Sequence, residues 1–127
     1  MSSPPTRRGK SRLHLIGKGN AVMSVCLVYI TASGHEEATT IGRDLVEKRL
    51  AACVNVQQPI TSIHRWEGVV QEDVESVLIA KTTEGLIEAL TARVLKIHSY
   101  NCPCVVVIPI AGGHKEFLEW IASETMQ

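Results

Sequence analysis

The amino-acid sequence predicts an α+β fold in which four strands form one sheet and two helices cover one of its faces. Residues 22–31 and 105–110 are β-branched and almost entirely apolar, which is typical of buried strands. Glu67-Gly68 separates two stretches of alternating polarity and indicates a hairpin. Two further segments carry apolar residues at helical spacing. The order β-α-β-β-α-β, followed by one extra C-terminal helix, is that of a ferredoxin-like sandwich.

The first half of the chain supplies strand one, over residues 22–31, and the first helix. Ser33 and Glu36 have capping-box spacing, which predicts that the helix begins there. It is expected to end near Leu50. Its inner stripe consists of Ala38, Ile41 and Leu45.

The middle of the chain predicts one long hairpin. Residues 53–66 alternate with period two, and Pro59 indicates a bulge or an edge position because it cannot donate to a ladder. Residues 69–82 return as strand three. A second helix, capped by Thr83, then runs to Ile97.

The C-terminal part supplies strand four and a short last helix. Pro103 disfavours helix at the preceding residue and turns the chain into strand four, over residues 105–110. After Gly112-Gly113 the terminal helix is expected to place three apolar side chains on its inner side: Phe117, Trp120 and Ile121.

Length and charge predict one acidic domain behind a basic tail. The chain has 127 residues, and we expect a disordered tail over residues 1–20 and a single domain over residues 21–127. Five of the thirteen basic residues lie in the tail, which has no acid, so eight bases face thirteen acids in the domain. This balance argues against a nucleic-acid partner, since phosphate neutralisation needs a basic face.

The sequence contains no apolar stretch typical of a secretory signal or a membrane span, so we expect a soluble, intracellular protein without membrane partners. Without an export signal, the four Cys are expected to be free thiols.

The hairpin predicts a homo-oligomer. Fourteen residues in a straight strand reach about 46 Å, whereas a domain of this size is only about 35 Å across. The ribbon must therefore extend beyond the body, with Trp66 near its tip. An isolated two-stranded ribbon is marginally stable, and the bare apolar edge at residues 105–110 would template aggregation. Subunits that pair their edges in a closed ring would solve both problems.

Five motifs occur in an order and spacing that resemble the CutA family of divalent-cation tolerance proteins. The similarity runs from about Val22 to Ile121. The motifs are LAACVNV (50–56), SIHRWEG (62–68), LIAKT (78–82), HSY with a following Pro (98–103), and IPI with FLEW (108–120). The resemblance implies a homotrimer in the cytoplasm, a link to tolerance of copper and other divalent metals, and an architecture like that of the nitrogen-regulatory PII proteins, whose ligands bind between subunits.

The resemblance also implies an inter-subunit ligand cleft. The residues at the matching positions are Cys53, Trp66, Glu67, Lys81, His98 and Tyr100. A cation, a carboxylate, an imidazole and aromatic rings could line a polar pocket. The chain departs from the family at Ser99 and Cys104, where Pro and Glu are usual, and at Ile30 and Ile97, where some members have proposed copper ligands.

Each candidate residue also has a structural interpretation. His98, Cys102 and Cys104 could bind Cu(I) or Zn through two sulfurs and an imidazole, or they could simply form a turn with small thiols. Cys53 suits a core position as well as a ligand role, and Lys81 could meet an anion or pair with a carboxylate.

Three functions compete. The first is a non-enzymatic trimer that binds copper, another divalent metal or a small ligand in its clefts. The second is a PII-like signalling module for a nucleotide or small anion, although the sequence has no Gly-rich phosphate loop. The third is an enzyme of this fold, such as an acylphosphatase. However, no nucleophile and general base occur at a spacing that predicts a catalytic pair.

Overall fold

A computed structural model describes residues 24–57 and 59–125. The basic tail predicted over residues 1–20 lies outside the described residues. The fold is an antiparallel five-stranded sheet with helices, and it confirms the predicted α+β class. The strands are β1 (Val25–Ala32), β2 (Cys53–Val56), β3 (Ile60–Trp66), β4 (Val69–Thr83) and β5 (Val105–Pro109). Their order in the sheet is β2-β4-β1-β5, and β3 also pairs with β4.

Strand β1, Val25–Ala32, lies at the centre of the sheet between β4, Val69–Thr83, and β5, Val105–Pro109. Val28 faces Ala80 of β4, and both side chains are buried against the helices. Because successive residues of a strand project to opposite faces, Leu27 and its partner Lys81 lie on the other face.

Helices α1, His35–Glu47, and α2, Ile87–Ile97, cover one face of the sheet, and a short 3₁₀ turn, Glu84–Leu86, precedes α2. Helix α1 begins as predicted but with a different cap. The backbone N–H of Ser33 donates to Glu37 Oε1 at 2.9 Å, so the predicted capping box with Glu36 is wrong. The core between the helices and the sheet includes Val28, Ile30, Ala38, Ile41, Leu45, Leu78, Ala80, Leu90 and Val94.

Helix α1 ends at Glu47, earlier than the predicted Leu50. Arg49 adopts the left-handed conformation with φ of 60°, and this turns the chain so that the Leu50 N–H bonds the Leu45 carbonyl at 2.9 Å. After this turn the chain enters β2 at the edge of the sheet.

The predicted strand 53–66 is two strands. Strand β2, Cys53–Val56, pairs with residues 78–81 of β4, and β3, Ile60–Trp66, pairs with residues 69–75. Pro59 stands immediately before β3 and accounts for the interruption, because it has no N–H for the ladder. Both strands are antiparallel to β4, which at 15 residues is longer than predicted.

Strand β3 and the first half of β4 form a ribbon, residues 60–75, that extends beyond the helices. Its turn is the predicted Glu67-Gly68, where both residues have positive φ, 53° and 81°. Two central positive φ values suit the right-handed twist of a two-residue hairpin. The turn confirms the predicted hairpin.

Helix α3, Lys115–Glu124, follows β5 and buries Trp120 and Ile121, while Phe117 is half-buried. These three residues form the predicted inner side. Within the described ranges, no helix is both long and apolar enough to cross a membrane.

Candidate functional site

The six residues of the predicted cleft form three separate groups in one chain. Cys53 and Lys81 are partners in the β2–β4 register, His98 and Tyr100 lie in the loop after α2, and Trp66 lies opposite Val69 beside the hairpin turn. The groups meet β4 at Lys81, at Glu75 and at Val69. Each of these positions is six residues from the next, which is about 20 Å along a strand. One chain therefore does not assemble the whole set.

The first group surrounds Lys81 on the sheet face opposite α1 and α2. The Lys81 Nζ donates to Asn55 Oδ1, lies 3.8 Å from Cys53 Sγ, and stands 6.0 Å from the centre of the Phe117 ring. The ammonium group is thus held by an amide and a sulfur rather than by the carboxylate that the sequence allowed. Asn55, two residues after Cys53 on the same face of β2, could have been found from the strand period.

The second group centres on His98, whose side chain is completely buried. Its Nε2 lies 2.8 Å from the backbone oxygen of Thr31, and the Tyr100 N–H points at its Nδ1 at 3.0 Å. Because Nδ1 accepts, the proton belongs on Nε2, which donates to Thr31. Both ring nitrogens are therefore engaged, and His98 can bind a metal only by giving up one of these bonds.

Glu37 holds the His98 loop in place. Its carboxylate accepts from the backbone N–H groups of Ser33 and Ser99, at 2.9 and 2.8 Å, and from both hydroxyls, at 2.8 and 3.1 Å. Burial alone would raise the pKa of Glu37, but these four bonds lower it to about 2. The sequence reasoning missed this residue because the capping-box spacing pointed to Glu36.

Tyr100 connects the same loop to the ribbon. Its hydroxyl donates to Glu75 Oε2 at 2.8 Å, while Ser62 Oγ donates to Oε1 of the same carboxylate at 2.6 Å. Burial and then the bond to Glu75 raise the pKa of Tyr100 well above its usual range, so the phenol stays a donor. Its ring lies 4.7 Å from that of His98, tilted by 49°. Sequence alone gave no signal for Glu75, because the contact crosses 25 residues.

The cysteines are free, as predicted. Cys26 is buried, Cys53 and Cys104 are half-buried, and Cys102 is exposed. Burial, and then the nearby Glu75, raise the pKa of the Cys104 thiol. Among the residues that the structure describes, no three His, Cys, Asp or Glu side chains are placed to hold a metal. The set of His98, Cys102 and Cys104 stays a prediction.

The third group lies at the tip of the ribbon, where Trp66 is 55% exposed and Glu67 occupies the turn. At the opposite end of the same sheet, a groove of about 630 Å³ runs along β2 between α1 and Trp120. Val54 and Val56 line it, and β2 is an edge strand there.

Comparison with known proteins identifies close relatives. The divalent-cation tolerance protein CutA of Thermus thermophilus is 46% identical over 99 residues, which are 78% of this chain and 96% of that protein. Its solved structure has a TM-score of 0.79 over 80% of this chain and 99% of the other. The chloroplastic protein CutA of Arabidopsis thaliana is 41% identical over 78% of this chain, which spans only 54% of the plant protein.

The cytoplasmic location was predicted from the family resemblance, and this prediction is wrong because relatives are found in other compartments. The Arabidopsis protein is chloroplastic by name. A structure from Archaeoglobus fulgidus, which is 43% identical with a TM-score of 0.76 over 79% of this chain and 97% of the other, is described as a periplasmic CutA. Relatives of one fold therefore occupy different compartments.

The profile of the family described as CutA1 divalent ion tolerance protein matches residues 26–124. This stretch begins in β1 and ends with α3, so it covers every strand and helix described above except Val25, the first residue of β1. The motifs that suggested the family thus lie within one continuous match. The chain belongs to the CutA1 family of divalent ion tolerance proteins.

Proposed function

We propose that the chain is a non-enzymatic homotrimer that binds copper, another divalent cation or a small ligand in clefts between subunits, and so contributes to metal tolerance. The clefts would be lined by the three groups of residues described above. The proposal depends on the separation of these three groups along β4. Groups about 20 Å apart on one strand can line the same cleft only if different copies of the chain contribute them.

The ribbon supports an assembly because one of its faces leaves three large apolar side chains bare, beside Thr61, Arg65 and Glu72. Ile63 and Val74 are each 66% exposed, and Val70 lies on the same face beside Arg65. Apolar side chains at the end of a two-stranded ribbon add little stability unless something covers them. A sister copy would cover them and bring Trp66 to a neighbouring subunit.

The two free edges of the sheet support a closed ring. Strand β2 is one edge and β5 is the other. Val106 and Ile108 of β5 are exposed, and the groove beside β2 is mostly apolar. Repeated contact between unlike edges generates a ring when the rotation closes, and a ring leaves no strand edge open to aggregation.

Ligand binding is tested by thermal unfolding of the purified chain with Cu²⁺, Zn²⁺, Cd²⁺, ATP or small carboxylates. A ligand that binds only the native state raises the midpoint in proportion to the logarithm of its concentration over its Kd. We expect a response to at least one divalent cation, and we expect Trp66→Ala to weaken it. Absence of any response to a cation or to a small carboxylate would contradict the proposal.

A PII-like role for the same clefts is the second candidate, and Lys81 favours it. The Lys81 ammonium contacts an amide and a sulfur, so its charge remains available to a small anion or a nucleotide phosphate. A midpoint that rises with ATP but with no cation would select this function. Lys81→Met should then abolish the ATP response, whereas Lys96→Met on α2 should leave it unchanged.

A further inference from the structure

Cys53 and Lys81 face each other across the β2–β4 ladder, on the sheet face opposite α1 and α2. Directly opposite residues of an antiparallel pair have Cβ atoms about 5 Å apart, so the backbone holds the two side chains together. The Lys81 Nζ lies 3.8 Å from Cys53 Sγ and also donates to Asn55 Oδ1. A primary amine and a thiol are therefore fixed in near contact.

Both side chains can be reached from solvent. Cys53 and Lys81 are each half-buried, whereas Cys26 is only 3% exposed. Within the described ranges, Lys81 forms no ion pair with a carboxylate. Oxidation of a cysteine by peroxide depends on the exposure of its sulfur. Cys53 is therefore open to an oxidant, and the nitrogen beside it is not held by an acidic side chain.

The other three thiols are remote from Cys53. Cys102 and Cys104 precede β5, which lies three strand spacings from β2, or about 14 Å across the sheet. Cys26 is two strands from β2 and lies on the opposite face, because it is one residue from the β1 partner of Lys81. An oxidised cysteine condenses with a neighbouring thiol or with a nitrogen. For Cys53 the neighbouring group is the Lys81 amine.

We propose that Cys53 and Lys81 are a peroxide-sensitive pair that closes a covalent sulfur–nitrogen bridge. Hydrogen peroxide transfers one oxygen to the Cys53 thiol, which gives a sulfenic acid and one water. The Lys81 ammonium releases a proton to solvent, and the neutral amine attacks the sulfur. The S–N bond forms, the S–O bond breaks, and the leaving hydroxide takes an amine proton to become water. Two equivalents of a thiol reductant cleave the bridge, become a disulfide and restore both side chains.

The bridge would regulate the proposed cleft by removing a positive charge. Lys81 supplies the ammonium group that the PII-like candidate offers to an anion, and the nitrogen of a sulfenamide is uncharged. We expect peroxide to abolish any ATP response of the unfolding midpoint and a thiol reductant to restore it. This consequence rests on the proposed function, whereas formation of the bridge needs only one chain.

The test treats the purified full chain with hydrogen peroxide and maps it by trypsin digestion and mass spectrometry without reductant. Trypsin cleaves after Lys and Arg, so Cys53 lies in peptide 50–65 and Lys81 ends peptide 66–81. A bridge blocks cleavage after Lys81. We therefore expect peptide 50–65 joined to peptide 66–93, with two hydrogens fewer than their sum. Dithiothreitol should remove this species, and a denaturing gel should show the mass of a single chain.

Lys81→Arg keeps the positive charge but cannot supply a neutral amine, so dimedone should trap the Cys53 sulfenic acid in this variant far more than in the wild type. Lys96→Arg and Cys26→Ala are the matched controls and should still form the bridge. Absence of the joined peptides, equal trapping by dimedone in wild type and Lys81→Arg, or a joined species at twice the chain mass overturns the proposal. The response of the reduced chain to divalent cations reports on the clefts separately, so failure of one proposal is distinguishable from failure of the other.

Discussion

Glu37 and Glu36 are adjacent on α1, yet only Glu37 turns towards the protein. Its four hydrogen bonds tie the start of α1 to the loop that carries His98 and Tyr100. One oxygen of the same carboxylate, Oε2, lies 3.7 Å from His98 Nδ1. The geometry of the second group therefore depends on one side chain that contributes no cleft surface of its own.

We expect Glu37→Gln to lower the free energy of unfolding by about 2–3 kcal/mol, because an amide NH₂ would face Ser33 and Ser99 donors that now share a carboxylate. Glu36→Gln is the matched control, since Glu36 is exposed and should change stability by less than about 0.5 kcal/mol. Chemical denaturation at one protein concentration measures both. Equal effects would contradict the role of Glu37.

The lowered pKa of Glu37 gives a pH prediction. The unfolded carboxyl titrates near 4.5 and the folded one near 2, so its contribution is complete above pH 4.5 and disappears as the pH falls towards 2. The shift corresponds to a contribution on the order of 3 kcal/mol. Denaturation curves from pH 6 to 2 should show this loss in the wild type and a smaller loss in Glu37→Gln. Parallel curves would contradict it.

At the scale of elements, the packing of α1 on β2 depends on a close approach. A Cβ built on Gly42 would stand 3.0 Å from Val54 Cγ1, so the helix lies on the strand with no room for a larger side chain. Glycine in a helix costs about 0.5–1 kcal/mol relative to alanine. Glycine at position 42 therefore lowers helix propensity but allows the helix to lie close to the sheet.

We expect Gly42→Ala and Val54→Ala to be coupled. Alone, Gly42→Ala gains helix propensity but presses on Val54, and alone Val54→Ala leaves a gap. Together the new methyl occupies the space of the lost one, so the double variant should be more stable than the sum of the single changes by about 1 kcal/mol. A double-mutant cycle by denaturation measures this coupling, and an additive result would contradict the close packing.

Local pattern predicted most elements but not their long-range partners. Strand β1, the two helices on the sheet, the hairpin at Glu67-Gly68 and the terminal helix all follow from apolar period and turn chemistry. The division of residues 53–66 was missed, because period two continues across Pro59 and only the pairing with β4 separates the two strands. Glu75 was missed as a site residue for a similar reason, since its partner Tyr100 is 25 residues away in the chain. Glu37 was missed because the capping-box spacing pointed to Glu36, and Asn55 was overlooked although the strand period places it on the same face as Cys53.

At the scale of the whole molecule, the ribbon face of Ile63, Val70 and Val74 decides between a single copy and an assembly. In a single copy this face is solvated, and a charge there would change stability little. Between copies it would be buried, and an unpaired charge would be costly. The cleft proposal depends on the second case.

We therefore expect Val74→Lys to dissociate the assembly or to lower its unfolding midpoint markedly. Ala92→Lys, at an exposed position on α2, is the matched control and should leave size and midpoint unchanged. Size-exclusion chromatography and thermal unfolding of both variants test this. Val74→Lys with wild-type size and midpoint would place the ribbon face in solvent.

The most direct measurement is sedimentation equilibrium of the purified wild-type chain at micromolar concentration. The chain has a mass of 13.9 kDa, and we expect a single species of three times that mass. A folded species of 13.9 kDa would mean that the three groups along β4 never meet, and it would contradict the proposed clefts.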